Sequence, residues 1–267
     1  TPKPSSAASD VYKRQIWLMS KLIKWSLVAA LAGFLFGFDT VVISGADQKL
    51  QELWNSSDIF HGSVVMAMAL WGTVFGAIFG GIPTRKYGRR NTLIWIGIFY
   101  SISAVGSALA NDPITFAVFR FIGGLGVGVS GIAAPAYISE IAPAKNRGKL
   151  VGFYQFNLVT GILVAFLSNY LLSGIGENDW RYMMGVEAIP AIFYTLLVFS
   201  IPKSPRWLYL NNQKDKAEKI IRDAYSKNDA DELIIEITRD KESNVGSESI
   251  FQKKYSFILT LAFLVAA

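Results

Sequence analysis

The segment ITFAVFRFIGGLGVGVSGIAAPAYIS, residues 114–139, is predominantly apolar and contains one charged side chain, Arg120. A helix needs about 20 predominantly apolar residues to cross the hydrocarbon core of a bilayer, and this segment is longer than that. A helix also pairs its backbone groups internally, as a spanning segment must. The same pattern recurs along the chain and predicts six spanning helices, at residues 24–46, 60–82, 92–110, 114–139, 149–173 and 182–201.

The composition agrees with a membrane protein. Of the 267 residues, 52% are hydrophobic and 17% are charged, with a mean hydropathy of +0.34; soluble domains have about 45–50% apolar and about 25% charged residues. The formal net charge of +6 does not indicate nucleic-acid binding, because the basic residues are confined to alternate loops. The chain has no Cys, which excludes disulfides and thiolate metal sites.

Loop charges predict the orientation of the spans. Basic residues precede the first span and fill the loops after the second and fourth spans: Lys21, Lys24, Arg85, Lys86, Arg89, Arg90, Lys145, Arg147 and Lys149. The opposite loops are mostly acidic, with Asp47, Glu52, Asp58, Asp112, Glu177 and Asp179. By the positive-inside rule, the N-terminus is expected in the cytoplasm.

Four segments are predicted along the chain. Residues 1–18 lack helical periodicity and precede the first Met; they are interpreted as a non-native leader, with a disordered cytoplasmic tail as the alternative. Residues 19–201 hold the six-helix bundle. Residues 202–254 are rich in charge and carry short amphipathic patterns, which favour cytoplasmic linker helices over a disordered linker. The apolar run 255–267 is too short to cross a bilayer and is interpreted as the truncated start of a seventh helix.

Three charged residues lie inside the predicted spans: Asp39, Arg120 and Glu187. A charge at the bilayer centre costs about 2.5–3.5 kcal/mol on insertion scales, so such residues normally face the bundle interior or a water-filled cavity and pair there. Two acids around one base can exchange a proton near the working pH. The alternative is a static ion pair, or side chains that reach the membrane interface.

A glycine cluster lies in the fourth span and consists of Gly123, Gly124, Gly126, Gly128 and Gly131, of which the last three form a G-x-G-x-x-G pattern. It is interpreted as a helix-packing surface, because no strand–turn–helix context surrounds it and no acidic residue follows about 20 positions later, as a dinucleotide site requires. Pro135 and Pro190 are expected to interrupt their helices, and such breaks often line cavities.

Neutral polar residues complete the set of candidates within the spans. Gln155 and Asn157 of the fifth span either form interhelical hydrogen bonds or bind hydroxyl groups of a substrate, and residue type alone does not separate these roles. His61, the only His, is expected to be a hydrogen-bonded residue at the membrane interface rather than a ligand.

Six motifs in a fixed order carry a family resemblance: FGFDTVVISGA at 36–46, GRR at 88–90, RFIGGLGVGVSGIAAPAYISEIAPAKNRGKL at 120–150, QFNLVTGI at 155–162, WRYMMGVEAIPA at 180–191 and IPKSPRWL at 201–208. Over about residues 22–254 the chain resembles the sugar porter family of the major facilitator superfamily, above all bacterial proton-coupled symporters of the xylose type. The resemblance implies an all-α membrane protein with two six-helix bundles, of which this chain holds the N-terminal one, and alternating access to a substrate site between them.

The resemblance also implies roles for the charged residues within the spans. Asp39 matches the first-span aspartate linked to proton coupling in the family. Arg120 matches its fourth-span arginine partner, and Glu187 matches a sixth-span glutamate of the proton symporters.

Three further positions match substrate-binding positions of the family. Gln155 matches a glutamine that hydrogen-bonds the sugar, and Phe36 matches an aromatic residue that lines the pocket. Ile162 matches another lining position, which is a glutamine in the xylose-type protein, so the resemblance does not name the sugar.

The cytoplasmic motifs resemble a latch of salt bridges that keeps the inner side closed in the outward-open state. Its matching positions are Arg89, Arg90, Glu140, Arg147 and Arg206. Two positions depart from the family pattern, because Arg85 and Lys203 replace polar or acidic residues. Like charges there repel, so we expect a weaker latch and a population shifted toward the inward-open state.

The resemblance implies a sugar:proton symporter for a hexose or pentose, multi-pass in the cell (inner) membrane. The expected partners are a monosaccharide, the proton and the lipid bilayer, with no cofactor and no nucleic acid, and the protein is expected to be monomeric. The alternatives are a sugar facilitator and a transporter-like nutrient sensor. An enzyme is disfavoured, because no nucleophile–base pair or metal cluster occurs within any span.

Overall fold

A computed structural model describes residues 6–143 and 146–243, with side chains described from residue 21 to residue 239 outside the same gap. The described residues are helical and contain no β-strand. The α-helices are α1 Ser6–Val42, α2 Asp47–Leu53, α3 Asp58–Phe60, α4 Met68–Phe79, α5 Gly81–Lys86, α6 Arg89–Leu109, α7 Pro113–Ile141, α8 Arg147–Leu172, α9 Asp179–Gly185, α10 Ala188–Phe199, α11 Pro205–Leu210, α12 Lys214–Ala224 and α13 Lys227–Ser243. A 3-10 turn, Ile43–Gly45, follows α1, and a π-helix, His61–Met66, joins α3 to α4.

Within residues 6–143 and 146–243, six helical segments are long and apolar enough to cross a membrane, which confirms the six spans predicted there. In order they are Lys21–Gly45, Asp58–Phe79, Arg89–Leu109, Pro113–Ile141, Arg147–Leu172 and Asp179–Phe199, called the first to sixth spans below. Their bounds lie close to the predicted ones. Helix α1 begins upstream of the first span, at Ser6, so the described part of the predicted leader is helical despite its lack of apolar periodicity. The predicted start of a seventh helix, 255–267, lies outside the described residues.

The first and fourth spans form the interior of the bundle. In their most apolar windows, 61% and 56% of the residues are buried, against 22% in the second and fifth spans. The first span packs against the fifth, the fourth packs against the second and third, and the third packs against the sixth. The second and fifth spans therefore lie at the periphery, where large apolar side chains such as Trp71 and Phe166 stay more than half exposed.

Glycines let the second and fourth spans approach closely. A Cβ atom added at Gly124 would lie 2.1 Å from the Ala69 carbonyl oxygen, and one added at Gly128 would lie 2.1 Å from that of Thr73. Side chains at these positions would separate the second and fourth spans. The packing interpretation of the cluster is correct for these two glycines, whereas nothing lies within 4 Å of the Cβ position of Gly131.

An aromatic cluster closes the end of the bundle at which the first span ends. Trp54, Phe116 and Trp180 meet in edge-to-face contacts, with ring centroids 5.4–6.4 Å apart. They belong to a buried core that includes Phe38, Val42, Val65 and Met184. Such contacts add to the burial of apolar area and fix how the first, fourth and sixth spans meet.

The sixth span is broken and the fourth is not, which corrects one prediction. Helix α7 runs from Pro113 to Ile141 with Pro135 inside it, so this proline does not interrupt its helix. The sixth span divides into α9 and α10 at Val186 and Glu187, just before Pro190. Proline lacks a backbone N–H and collides with the carbonyl four residues earlier, which here is that of Val186.

Two compact units divide the chain after Ser226. The first contains the six spans and two of the short helices that follow them, α11 and α12; on α12, Ala217, Ile221 and Ala224 are buried. The second contains α13. Residues 202–243 are thus largely helical, and their assignment as a linker stays a prediction.

Candidate functional site

The first and fourth spans bring Asp39 and Arg120 together inside the bundle. The Nη1 atom of Arg120 lies 2.5 Å from Oδ1 of Asp39, and its Nη2 atom donates to the Asp39 backbone carbonyl at 2.8 Å. Both side chains are 1% exposed. Gly123 leaves space beside the pair, because a Cβ atom there would lie 2.4 Å from Ser103 Oγ and 3.2 Å from Asp39 Oδ1. The predicted pair is therefore a charge-assisted contact shielded from solvent.

Glu187 lies beside this pair, at the break in the sixth span. Its side chain is fully buried and lies within electrostatic range of Asp39 and Arg120. Neither carboxylate oxygen of Glu187 has a protein hydrogen-bond partner, and neither does Asp39 Oδ2 or Arg120 Nε. All three predicted residues thus meet in one buried cluster, which keeps hydrogen-bonding capacity unused; buried polar groups rarely do so.

A cavity of about 280 Å³ reaches this cluster between the first, second and fourth spans. Its polar lining comes from Asp39, Thr40, Thr73 and Arg120, and the remainder is mainly apolar. The cavity has room for several water molecules, whose share of liquid volume is about 30 Å³ each. Space for water beside a buried acid–base pair is what reversible protonation requires.

The predicted substrate residues lie on the first and fifth spans. Gln155 is exposed on the bundle surface, and Phe36 and Ile162 are partly buried. The two spans approach closely at Gly37, where an added Cβ would lie 2.0 Å from the Leu158 carbonyl oxygen. Asn157, the other polar candidate in the fifth span, donates to the Phe153 carbonyl at 2.9 Å and so is partly satisfied within its own helix.

The predicted latch is partly assembled at the end where the fourth span finishes. Arg89 Nη2 lies 2.7 Å from Glu140 Oε1, and Arg90 donates to the Phe199 carbonyl at 2.9 Å. Arg147 begins α8, and its Nε atom is buried without a protein partner. Arg206 lies in α11 and makes contacts of its own. Glu140 therefore pairs directly with Arg89.

Sequence reasoning did not identify Ser204 as part of this cluster. Its hydroxyl donates to Glu140 Oε2 at 2.5 Å, and its oxygen accepts the backbone N–H of Trp207 at 3.2 Å, which caps α11. The Ser-Pro pair before a short apolar segment is a helix-start signal that could have revealed the cap. The bond to a residue so distant in sequence has no local signal.

Sequence reasoning did not identify Trp207 either. This residue lies next to Arg85 and Lys203, the two residues that depart from the family pattern. Its indole N–H donates to the Arg85 carbonyl at 2.7 Å, and the Lys203 ammonium lies 5.4 Å from a ring centroid. The ring covers Gly88, which has φ +86°, and a Cβ there would lie 2.9 Å from ring atoms. The two cationic residues are thus arranged around one aromatic side chain, which interacts favourably with the ammonium of Lys203.

The opposite end of the bundle holds a second set of polar contacts. Lys49 pairs with Asp179, which also accepts the backbone N–H of Gly174 at 2.8 Å. His61 is 4% exposed and contacts Ser56 Oγ at 3.2 Å and Asp47 Oδ1 at 2.8 Å. These contacts agree with the prediction of a hydrogen-bonded interfacial histidine. Within the described residues, no three His, Asp or Glu side chains are grouped as a metal site would need.

Six apolar helices around a buried acid–base cluster define this chain as part of a multi-pass membrane transporter. A family model described as "Sugar (and other) transporter" matches residues 25–266. The chain is 36% identical over 234 residues to the D-xylose-proton symporter of Escherichia coli (strain K12), covering 76% of this chain and 48% of that protein. It is 40% identical over 205 residues to the glucose transport protein of Synechocystis sp., covering 73% and 44%.

Solved structures agree with these relatives. The partially occluded, inward open xylose transporter XylE from E. coli matches with a TM-score of 0.79 and 34% identity, over 85% of this chain and 60% of that one. The chain therefore belongs to the sugar transporter family of the major facilitator superfamily, a family of transporters rather than enzymes. It spans about half the length of the relatives it matches and corresponds to the N-terminal half of their fold, as predicted.

Proposed function

We propose that this chain is the N-terminal half of a sugar:proton symporter that works by alternating access. The observation that carries the proposal is the buried cluster of two acids and one base, with Asp39 bonded to Arg120 and with Glu187 unbonded beside them. Static ion pairs do not need a second, unpartnered carboxylate. Relatives named as a D-xylose-proton symporter and an arabinose-proton symporter support the same chemistry.

In the proposed coupling step, one proton binds to Asp39 and the guanidinium of Arg120 changes its partner. A proton adds to the Asp39 carboxylate, and the neutral acid holds Arg120 less strongly. Arg120 then turns to the Glu187 carboxylate, which lies within electrostatic range of both Arg120 and Asp39. An arginine left buried without a partner would cost about 3–5 kcal/mol, so the alternative carboxylate makes the switch energetically possible. Loss of the proton from Asp39 restores the first pairing.

The sugar, a hexose or pentose, binds between this half and a second bundle. Gln155 donates and accepts hydrogen bonds to the sugar hydroxyls, while Phe36 and Ile162 line the apolar side of the pocket. An exposed amide beside apolar side chains suits a monosaccharide, which presents hydroxyl groups and C–H faces. Relatives named for xylose and for glucose leave both sugar sizes within the proposal.

The proposal places the chain in the cell (inner) membrane as a monomer, with the N-terminus in the cytoplasm. The basic loops after the second and fourth spans support this orientation, because positively charged loops stay on the cytoplasmic side. Arg89, Arg90, Glu140, Arg147 and Arg206 then form the inner latch, and the aromatic cluster around Trp180 faces outward.

Proton coupling is tested by adding sugar to energy-depleted cells that express the complete transporter and recording the pH of the medium. Symport removes protons from the medium, so the medium should become alkaline, whereas a facilitator leaves its pH unchanged. Asp39→Asn should abolish the alkalinisation and the accumulation of sugar against its gradient, while counterflow exchange survives.

Asp58→Asn is the matched control, because Asp58 is an exposed carboxylate at the start of α3 that accepts a hydrogen bond from the Gln51 side chain at 2.7 Å. It should behave as the wild type. Alkalinisation that persists in Asp39→Asn would remove Asp39 from the coupling step, and a wild type that never alkalinises the medium would leave a facilitator.

A further inference from the structure

A line of buried hydroxyl groups leads away from the charged cluster toward the end at which the first span begins. It consists of Tyr100 in the third span, Ser130 in the fourth and Tyr154 in the fifth, with Tyr194 of the sixth span beside it. Tyr100 and Ser130 have no exposed surface, and Tyr154 is 7% exposed. Four different spans therefore direct hydroxyl-bearing side chains into one part of the interior.

Tyr100 connects this line to the charged cluster. Its hydroxyl lies within electrostatic range of Asp39, Glu187 and Tyr154, and the Ser130 side chain is close enough to interact with it. The Tyr100 hydroxyl has no protein hydrogen-bond partner. Gly126 faces the ring at ordinary contact distance, so the side chain is held by packing rather than by a bond to its polar end.

Ser130 and Tyr154 form the next step. Their oxygens are 3.3 Å apart, and the Ser130 hydroxyl also donates to the Val127 carbonyl at 2.8 Å. Because a serine hydroxyl has one hydrogen, Tyr154 is the donor between the two while that second bond is made. When the serine hydroxyl rotates, Ser130 becomes the donor and Tyr154 the acceptor, so either residue can donate the hydrogen bond between them.

The positions along the helices order these groups by depth. Asp39 lies near the end of the first span, Tyr100 lies near the middle of the third, and Tyr154 lies about two turns from the start of the fifth. Helices starting at Arg89 and Arg147 both enter from the basic, cytoplasmic side of the proposed orientation. The line therefore runs inward from the charged cluster.

We propose that Tyr100, Ser130 and Tyr154 relay the proton that leaves Asp39 toward the cytoplasm, with water bridging the gap between Asp39 and Tyr100. A hydroxyl group accepts a proton on its oxygen and releases its own hydrogen to the next acceptor, so each group ends neutral and one proton moves. This inference rests on the proposed proton coupling and adds the exit route to it. Buried hydroxyls that only fill space would be expected to have satisfied their bonds.

The relay is tested with Tyr100→Phe and Tyr154→Phe in the complete transporter, because each removes one oxygen atom and keeps the ring. Sugar-driven proton uptake into proteoliposomes should fall by about a hundredfold or more, the lower end of what a positioned proton-transfer group contributes. Counterflow exchange of sugar, which needs no net proton release, should stay within about twofold of the wild type. Because proton transfer then limits the rate, replacing H₂O by D₂O should slow proton uptake more in these variants than in the wild type.

Ser130 separates a hydroxyl requirement from a packing requirement. Ser130→Ala should slow proton uptake as the tyrosine variants do, and Ser130→Thr, which keeps the hydroxyl, should restore it. Tyr137→Phe is the matched control: Tyr137 is equally buried in the same span, but its hydroxyl donates to the Pro202 carbonyl at 2.8 Å, which cannot pass a proton on.

Two outcomes would overturn the relay. Wild-type proton uptake in Tyr100→Phe and Tyr154→Phe, while Asp39→Asn is uncoupled, would refute the exit route and leave the symport proposal intact. Equal loss of proton uptake and of counterflow exchange would assign these hydroxyls to folding. Absence of proton uptake in the wild type would instead contradict the proposed function itself.

Discussion

The guanidinium of Arg120 makes two different bonds to one residue, and a point charge cannot replace it. One nitrogen contacts the Asp39 carboxylate and another contacts the Asp39 backbone carbonyl. The planar guanidinium holds these directions fixed, whereas an ammonium is compact and strongly hydrated. The side chain therefore fixes the backbone of the first span as well as balancing a charge.

Arg120→Lys should therefore impair transport although it keeps the positive charge. We expect the free energy of unfolding to fall by about 1–3 kcal/mol, the cost of leaving a buried polar group unsatisfied. Sugar accumulation should fall with it. Thermal unfolding in detergent and uptake assays measure the two effects.

Arg222→Lys is the control, because Arg222 lies on α12 with its side chain 54% exposed. It should change neither stability nor uptake. An Arg120→Lys protein with wild-type stability and accumulation would show that the second bond is dispensable.

Single residues differ in how well the sequence reveals them. Asp39, Arg120 and Glu187 were predicted because a charge in an apolar segment is costly and needs a partner. Tyr100 and Tyr154 were not, since tyrosine is common in membrane helices and its burial depends on which helices meet. Ser204 and Trp207 escaped for a related reason: their partners, Glu140 and Arg85, are distant in sequence.

At the scale of the helix, the approach of the second and fourth spans depends on glycine. Gly128→Ala should lower the free energy of unfolding by about 1–3 kcal/mol, because the added methyl group meets backbone atoms that cannot move independently. Gly131→Ala is the matched control in the same helix, where nothing lies within 4 Å. It should be neutral or slightly stabilising. Thermal unfolding of the two variants in one detergent compares them, and equal stabilities would contradict this account of the packing.

The start of the fourth span offers a test of capping. Asp112 accepts the backbone N–H groups of Ile114 and Thr115, at 3.1 and 2.8 Å. Hydrogen bonds from the Thr115 side chain, then from these backbone groups, hold the pKa of Asp112 below its usual range. The pKa of Asp112 is therefore lower in the folded protein than in the unfolded chain. The ionised carboxylate stabilises the fold fully above the unfolded pKa, and this stabilisation is lost as the pH falls through the folded pKa.

Asp112→Ala should therefore lower the melting temperature at pH 7 relative to the wild type, and the difference should shrink at about pH 3, below the ordinary Asp pKa of about 3.9. Asp112→Asn, which still caps the helix, should keep most of the wild-type stability at pH 7. A difference between Asp112→Ala and wild type that does not change with pH would exclude the charged cap as its cause.

Helix bounds were largely predictable, and helix interruptions were not. Apolar length alone placed six spans close to their observed ends. The two prolines look alike in sequence, yet only the sixth span breaks, next to Pro190, while α7 continues through Pro135. Neighbouring helices decide whether a proline's missing hydrogen bond opens the chain, and sequence alone does not give those neighbours.

At the scale of the whole molecule, a weak latch is expected to change the balance between the outward-open and inward-open states. Arg85 and Lys203 lie around Trp207, where the family pattern has polar or acidic residues. Lys203→Glu should shift the resting population toward the outward-open state, because it replaces a repulsive charge among arginines by an attractive one.

The chain has no native cysteine, so one introduced at Gln155 reports this shift. Gln155 is exposed on the face predicted to bind sugar. A thiol reagent added from the cytoplasmic side should label the introduced cysteine rapidly when no other residue is changed. Labelling should be slower when Lys203→Glu is added. Lys216→Glu, on the exposed face of α12, is the control and should leave the rate unchanged. A resting state that labels mainly from outside would contradict the weak-latch hypothesis.

Trp207 has a mechanical consequence for how such a transporter would move. Its ring lies on a glycine whose backbone few other residues adopt, and its nitrogen is tied to the loop between the second and third spans. Helix α11 is thereby clamped to the bundle it follows. If the complete carrier works by the proposed alternating access, this short helix should move together with the first bundle, and bending between the two halves should occur later along the chain.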